Sequence, residues 1–259
     1  MPQGLGIQLG LGGGRSATAS GAPAGAPFTN EYSVDFDGAN DYMSFGTATL
    51  FDTGSAFSFS GWVKIDSYTS NEFQTIAQFK TNHSAGFQLL ASDHVAYPGL
   101  NIGSSDTTNM MKVRTAGDIS GTFSSWTHVA MTYNGDGGDT SSNYKIYING
   151  SEVSTTTTGY YTPLTNANSI GMGQDGANFP LIGLIDEVAI FDSKLTAPNV
   201  SAIWGGGTPT SLTGYSPIGW WRMGDNNGGT GTTITDQGSG GNNGTLVNGP
   251  TFSSEVPSA

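Results

Sequence analysis

Residues 57–65 read Phe-Ser-Phe-Ser-Gly-Trp-Val-Lys-Ile, with Phe57, Phe59 and Gly61 alternating against Ser58, Ser60 and Trp62. A period of two belongs to an extended strand, whose successive side chains point to opposite faces, and not to a helix with its period of 3.6. Strand-like runs recur at 31–36, 42–45, 73–79, 86–90, 100–102, 110–114, 126–133, 144–148, 169–172 and 184–191. The gaps between them are filled from 40 Gly, 11 Pro and many Ser, Thr and Asn, the residues of tight turns. Asn149-Gly150 is a pair that tolerates the left-handed backbone of a two-residue hairpin loop, leading on to Glu152 and Val153. The one helix this pattern predicts is 196–204, with Thr196 as N-cap and Pro198 in its first turn. The chain is therefore expected to be all-β and antiparallel. Its 259 residues suit one large sandwich better than two small domains.

Charge narrows the partners. Twenty acidic against eight basic residues give a net charge of −12, so a phosphate backbone would be repelled, and Lys64, Lys112, Arg114 and Arg222 are too dispersed in sequence to form a basic stripe. Nucleic acid is not an expected partner. The absence of cysteine excludes disulfides and thiolate metal sites. No stretch approaches the roughly 18 apolar residues that a bilayer span requires, so no membrane insertion is expected. The N-terminus has no basic region ahead of an apolar run and does not read as a secretory signal.

Three segments are distinguishable. Residues 1–27 are rich in Gly, Ala and Ser and form an arm with too little apolar surface to fold alone. Within it Leu5, Ile7, Leu9 and Leu11 alternate with Gly or Gln, which fits either a loose tail or a strand added to the sheet edge of a neighbouring subunit. Residues 28–204 form the body. A Gly-rich break at 205–207 then opens the C-terminal segment 205–259, with strand candidates at 218–223 and 245–247, too short for a second sandwich and expected to pair with the first.

Five strings occur in an order that resembles a known family: Val-Asp-Phe-Asp-Gly-Ala-Asn-Asp-Tyr (34–42), Phe-Ser-Phe-Ser-Gly-Trp-Val (57–63), Trp-Thr-His-Val-Ala-Met-Thr-Tyr (126–133), Lys-Ile-Tyr-Ile-Asn-Gly (145–150) and Gly-Leu-Ile-Asp-Glu-Val-Ala-Ile-Phe-Asp (183–192). They are similar to the laminin G-like, pentraxin-related jelly rolls of the concanavalin A-like lectin and glucanase superfamily. The resemblance implies an antiparallel two-sheet jelly-roll sandwich, here with an extended N-terminal arm. It makes Trp62, Trp126 and His128 packing and hydrogen-bonding residues. The string Trp-Trp-Arg-Met-Gly-Asp (220–225) also resembles the family, but in many relatives it precedes the domain and here it follows it.

No catalytic constellation is recognised. Glucanases on this scaffold resemble one another in a cluster of acids at alternate positions of one strand, which this chain lacks; adjacent Asp186 and Glu187 are expected on opposite faces, with Asp192 near the strand end. His83, His94 and His128 fall in separate elements without metal-ligand spacing. Oxygen-rich loops at Asp37, Asn40 and Asp41, at Asp136, Asp139 and Asn143, and at Gln174, Asp175 and Asn178 suit calcium, although the same residues make ordinary turns. The third resembles the loop with which pentraxin-like relatives hold calcium, so Gln174, Asp175 and Asn178 are the expected ligands.

The functional expectation is a non-enzymatic virion structural protein, a capsid decoration, fibre or tail component with an outward-facing lectin-like domain that binds host-surface glycans. A phage protein is released by lysis and needs no export signal, and the Trp-Trp-Arg string and Gly-Leu-Gly opening are similar to marine phage virion proteins. Its arm would contact other virion proteins, and it would be a homo-oligomer within the assembly. The alternative is a carbohydrate-binding module of a bacterial cell-surface or secreted protein. Tyr97, Tyr160 and Tyr161 are candidate stacking platforms for sugars in either case.

Overall fold

The structure is a computed structural model, and it describes residues 28–45, 55–68, 73–78, 87–94, 99–105, 110–136, 143–158, 171–172 and 179–258. The alternating runs form strands β1 (Ser33–Asp37), β2 (Tyr42–Ser44), β3 (Phe57–Ile65), β4 (Phe73–Gln78), β5 (Phe87–Ser92), β6 (Gly99–Ser105), β7 (Met110–Thr115), β8 (Thr127–Tyr133) and β9 (Tyr144–Ile148). They continue with β10 (Ser151–Glu152), β11 (Thr155–Thr158), β12 (Gly171–Met172), β13 (Ile182–Phe191), β14 (Gly219–Trp221), β15 (Thr233–Ile234), β16 (Gly244–Val247) and β17 (Thr251–Ser253). Helix α1 spans Ala197–Trp204 and begins where Thr196 Oγ1 accepts the Asn199 N–H at 3.3 Å. It ends on Gly205 in the left-handed conformation, which a glycine adopts without Cβ strain.

Two antiparallel sheets result. The first has the order β10-β9-β8-β3-β13-β1-β17, with β14 also on β13; the second has the order β11-β7-β6-β5-β4-β12-β2-β16-β15. Between them lies the main core, where Phe36, Phe59, Val63, Val129, Met131 and Ile185 of the first sheet meet Met43, Ile76, Leu89, Leu100 and Val113 of the second. This is the jelly-roll sandwich that the family resemblance implies, each sheet offering every second side chain to its partner.

The first sheet is covered on its other face as well. Ala130, Tyr147, Ala189 and Phe191 pack there against Leu195, Val200, Ile203, Leu212 and Trp220. That third layer explains why β3, β8 and β13 are buried at nearly every position, the small Ser58, Ser60 and Ala130 included. His128 lies on the same face, fully buried, its Nε2 2.9 Å from Ser60 Oγ and its ring edge-on to Trp62 at 5.3 Å. Burial pushes its pKa down to about 3, so the ring is neutral and serves packing and hydrogen bonding. Trp126 is only half-buried, and its indole N–H has no hydrogen-bond partner.

The C-terminal segment threads both sheets: β14 pairs with β13, β16 with β2, and β17 with β1. Strand β13 has one long edge on β3, but its other edge is divided. β1 occupies Ile182–Ile185 and β14 occupies Val188–Ile190. At the changeover the register to β3 shifts between Asp186 and Ala189, and Glu187 takes a positive φ of 46°, a β-bulge.

Candidate functional site

The outer face of the second sheet carries the groups best suited to a ligand. Leu89, Leu100 and Val113 point into the core, so strand alternation places their neighbours Leu90, Asn101 and Arg114 on the outside. Strand register aligns them in a single rung across five strands: Thr75 on β4, Leu90 on β5, Asn101 on β6, Arg114 on β7 and Thr156 on β11. At about 4.8 Å between strands the rung is about 19 Å wide. It is mostly polar. Thr75 and Asn101 are buried, Arg114 is half-buried and Thr156 is exposed, so the rung opens toward the β7–β11 edge. There Arg114 Nε donates to Thr156 Oγ1 at 3.0 Å. The hydroxyl of Thr75 is buried without a hydrogen-bond partner.

At the β4 end of this face three half-buried aromatic rings gather. His94 stacks on Phe73 with centroids 5.9 Å apart and planes 16° apart, and Phe179 meets Phe73 edge-on at 5.6 Å. Phe179 is held at a φ of 59°, an uncommon conformation for an aromatic residue, and its carbonyl accepts the Thr75 N–H at 2.9 Å. Aromatic faces beside hydroxyl, amide and guanidinium groups are the chemistry that orients polar, ring-shaped ligands.

A second cluster of chemically capable groups lies in the β13 bulge. Arg222 Nε donates to Glu187 Oε1 at 2.8 Å, while its Nη2 reaches Asp225 Oδ2 at 2.6 Å and the Thr29 carbonyl. Trp220 Nε1 donates to Glu187 Oε2 at 2.6 Å, Asn30 Nδ2 donates to Asp186 Oδ2 at 2.8 Å, and Asp225 Oδ1 accepts the N–H groups of Glu31 and Tyr32. The Phe28 ring lies under the guanidinium, 4.2 Å from its carbon, and stacks on Trp220. The expectation that Asp186 and Glu187 face opposite ways is corrected here. The bulge adds a residue to β13, and both carboxylates join one network with Asn30, Trp220, Arg222 and Asp225. Burial and mutual repulsion raise the Asp186 pKa well above the ordinary range; burial raises Glu187 to about 7, against the pull of Arg222. Both acids are almost fully buried, so the cluster fills the gap where β1 gives way to β14 and has no route to a substrate.

The expected calcium ligands Gln174, Asp175 and Asn178, the arm residues Leu5, Ile7, Leu9 and Leu11, and Tyr97, Tyr160 and Tyr161 lie outside the described residues. So do His83 and Asp139. The Asp37 loop is turn chemistry: Asp37 Oδ1 accepts the Ala39 N–H at 2.7 Å, and buried Asp41 accepts the Asp37 N–H at 3.2 Å. Asn134 and Asp136 close a similar turn, with Asn134 Nδ2 donating to Asp136 Oδ2 at 2.8 Å and to Asn143 Oδ1 at 3.2 Å. Among the described residues no group of three or more His, Asp or Glu is placed to hold a metal ion. The sequence singled out Arg114 and His94 only as a dispersed cation and an isolated histidine. Their shared face depends on register between strands, which no local pattern encodes.

Two packed antiparallel sheets, one closed over by a helix and the other carrying a polar rung, define a lectin-like β-sandwich. The family model of the concanavalin A-like lectin/glucanases superfamily, Laminin_G_3, matches residues 37–201, well over half of the chain, and the chain belongs to that family. Among solved structures, a Bacteroides ovatus protein provisionally named a carbohydrate binding protein superposes with a TM-score of 0.61 at 19% identity, over 90% of this chain and 62% of its own. This chain therefore spans about three fifths of that protein. A heptameric pentraxin from Limulus polyphemus is similar at a TM-score of 0.47 and 15% identity, over 68% of this chain and 82% of its own. No curated protein matches the sequence. Among the described residues no helix is long and apolar enough to cross a membrane.

Proposed function

We propose that this protein is a non-catalytic binding module whose ligand is a glycan. The observation that carries the reading is the cluster of half-buried Phe73, His94 and Phe179 rings on the outer face of the second sheet, with half-buried Arg114 and exposed Thr156 at the other end of the same face. The lectin-like fold and the name of the Bacteroides ovatus relative support it. The acids that could serve glycoside hydrolysis, Asp186 and Glu187, are buried in the β13 bulge, which supports binding without turnover. Binding is tested on a glycan array, followed by titration of the hits. Glycan binding that Phe73→Ala weakens at least tenfold is the expected result, while an array without hits, or turnover of a β-glucan, would overturn the reading.

The finer reading places this module on a virion, as a capsid decoration, fibre or tail component. It rests on the alternating Leu5, Ile7, Leu9 and Leu11 of the arm, a pattern suited to strand addition on a neighbouring virion protein. Deleting residues 1–27 should leave a folded body that no longer enters particles; unchanged incorporation would sink the role of the arm, and a full-length chain that enters no particle argues instead for a bacterial cell-surface or secreted carbohydrate-binding module. Calcium at Gln174, Asp175 and Asn178 belongs to the same proposal, because these residues directly precede Phe179 in the chain. A rise in melting temperature on adding calcium is expected, and no shift removes the ion from the account.

A further inference from the structure

Residues 28–32 lead the chain into β1, and each of them is fastened to the β13 bulge or to the segment that follows it. Phe28 lies under the Arg222 guanidinium and stacks on Trp220, the Thr29 carbonyl accepts from Arg222 Nη2, and Asn30 Nδ2 donates to Asp186 Oδ2 at 2.8 Å. The N–H groups of Glu31 and Tyr32 donate to Asp225 Oδ1 at 2.8 and 2.9 Å, and the Tyr32 ring closes over Gly229, where an added Cβ would stand 2.5 Å from it. None of these contacts is a ladder bond of a sheet. The strap can therefore lift while β1 keeps its neighbours β13 and β17.

Beneath the strap the acids outnumber the cations. Three buried carboxylates, Asp186, Glu187 and Asp225, stand with the single guanidinium of Arg222. The other ionisable groups around them bring no second cation. Glu31 lies on the strap itself, and Asp236 accepts the Trp220 backbone N–H at 2.8 Å. His128, beyond Trp62 in the register that joins β13, β3 and β8, is neutral, and Lys64 is tied to Asp66 and Glu255. When all three acids are ionised, one arginine cannot balance them. Burial keeps protons on Asp186 and Glu187 to higher pH than usual, against the pull of Arg222 on Glu187 and of Asn30 on Asp186.

We infer that residues 28–32 are a pH-sensitive clasp, closed while Asp186 and Glu187 hold protons and lifted as they ionise, which frees the base of segment 1–27 from the body. Lifting admits water to carboxylates that are costly to charge when buried. It also removes the cost of Asn30 Oδ1, which is buried without a hydrogen-bond partner when the strap is down. The closed state binds the protons and the open state releases them. The stability of closure is thus complete below the ordinary carboxylate range and is lost as pH rises, for Glu187 through about 7. The ratio of open to closed rises by up to about tenfold per pH unit for each proton released. A lifted strap adds five residues, about 17 Å of reach, to the segment before it.

Hydrogen exchange of the intact protein, divided at each pH by the intrinsic rate, tests the clasp. Protection of the Glu31 and Tyr32 amides should fall at least about tenfold between about pH 5 and 8, while amides of β3, at the centre of the first sheet, exchange more slowly throughout. Glu187→Gln and Asp186→Asn each fix a neutral group and should flatten that dependence; either one serves should the other fail to fold. Strap protection that does not change with pH, a dependence equally steep in the folded variants, or strap and β3 amides losing protection together would overturn the inference.

Discussion

Arg222 satisfies two carboxylates and a backbone carbonyl while only 13% of its side chain is exposed, and the two chain segments it joins are far apart in sequence. Removing one member of a buried ion pair leaves the other charged and unsolvated, which typically costs about 3–5 kcal/mol. Arg222→Ala is therefore expected to lower unfolding free energy in urea by about that amount, and a loss under about 1 kcal/mol would show that the network does not hold the junction. Glu187→Gln removes a charge that burial disfavours and keeps an acceptor for Trp220, so it should cost less than Arg222→Ala. His128 supplies the acid-side counterpart. Its folded pKa is about 3 against an ordinary 6.5, so the unfolded chain takes up the proton first, and stability is lost as pH falls from 6.5 toward 3. A folded His128→Gln variant should lack that share of the acid loss in denaturation curves collected across this range.

Among the elements, the hairpin between β9 and β10 shows what a short motif can specify. Asn149 and Gly150 both take positive φ, 46° and 73°, the loop that an Asn-Gly pair implies, and the Asn149 side chain accepts the His128 N–H at 3.0 Å. What the motif could not reveal is that Gly150 lies against Trp204 of α1, where an added Cβ would stand 2.8 Å from the ring. Gly150→Ala should therefore destabilise beyond the strain of its backbone, by about 1–3 kcal/mol in thermal or urea unfolding. The same contrast runs through the strands. β3 and β9 begin and end where alternation puts them, because each is a long local pattern. β11, with four threonines, and β17, with three residues, carry too little pattern to be seen and exist because a neighbour offers an unpaired edge. The bulge at Asp186–Glu187 is likewise invisible locally: it is needed because β1 and β14 share one edge of β13.

For the whole molecule, opposing titrations set the pH of greatest stability. Asp186 and Glu187 have raised pKa values in the folded chain, so their contribution is complete below the ordinary carboxylate range and is lost as pH rises, for Glu187 through about 7. With the His128 loss on the acid side, stability should peak between about pH 4.5 and 6.5 and decline toward pH 8; a maximum at pH 8 by calorimetry would contradict this balance. The C-terminal segment is expected to be indispensable in the same global sense. Deleting residues 205–259 would strip β14 from β13, β16 from β2 and Trp220 from the layer over Phe191, leaving open edges and an apolar face. Such a truncated chain should aggregate or lose its β-sheet circular dichroism, whereas a monomeric, cooperatively melting product would show that the first 204 residues suffice.

The sequence by itself determined the all-β class, the positions of the longer strands, the hairpin turn and the capped helix, because alternation, turn chemistry and capping act between residues a few positions apart. The family strings carried the sandwich and its core for the same reason. Only the tertiary structure decided which strands lie side by side. It thereby decided that Asp186 and Glu187 share one buried network with Arg222, and that Thr75, Asn101, Arg114 and Thr156 stand in one row. Neighbours along that row are 11 to 42 residues apart in the chain, and their pairing is fixed by how both sheets bury their apolar faces together, a condition that no single segment contains.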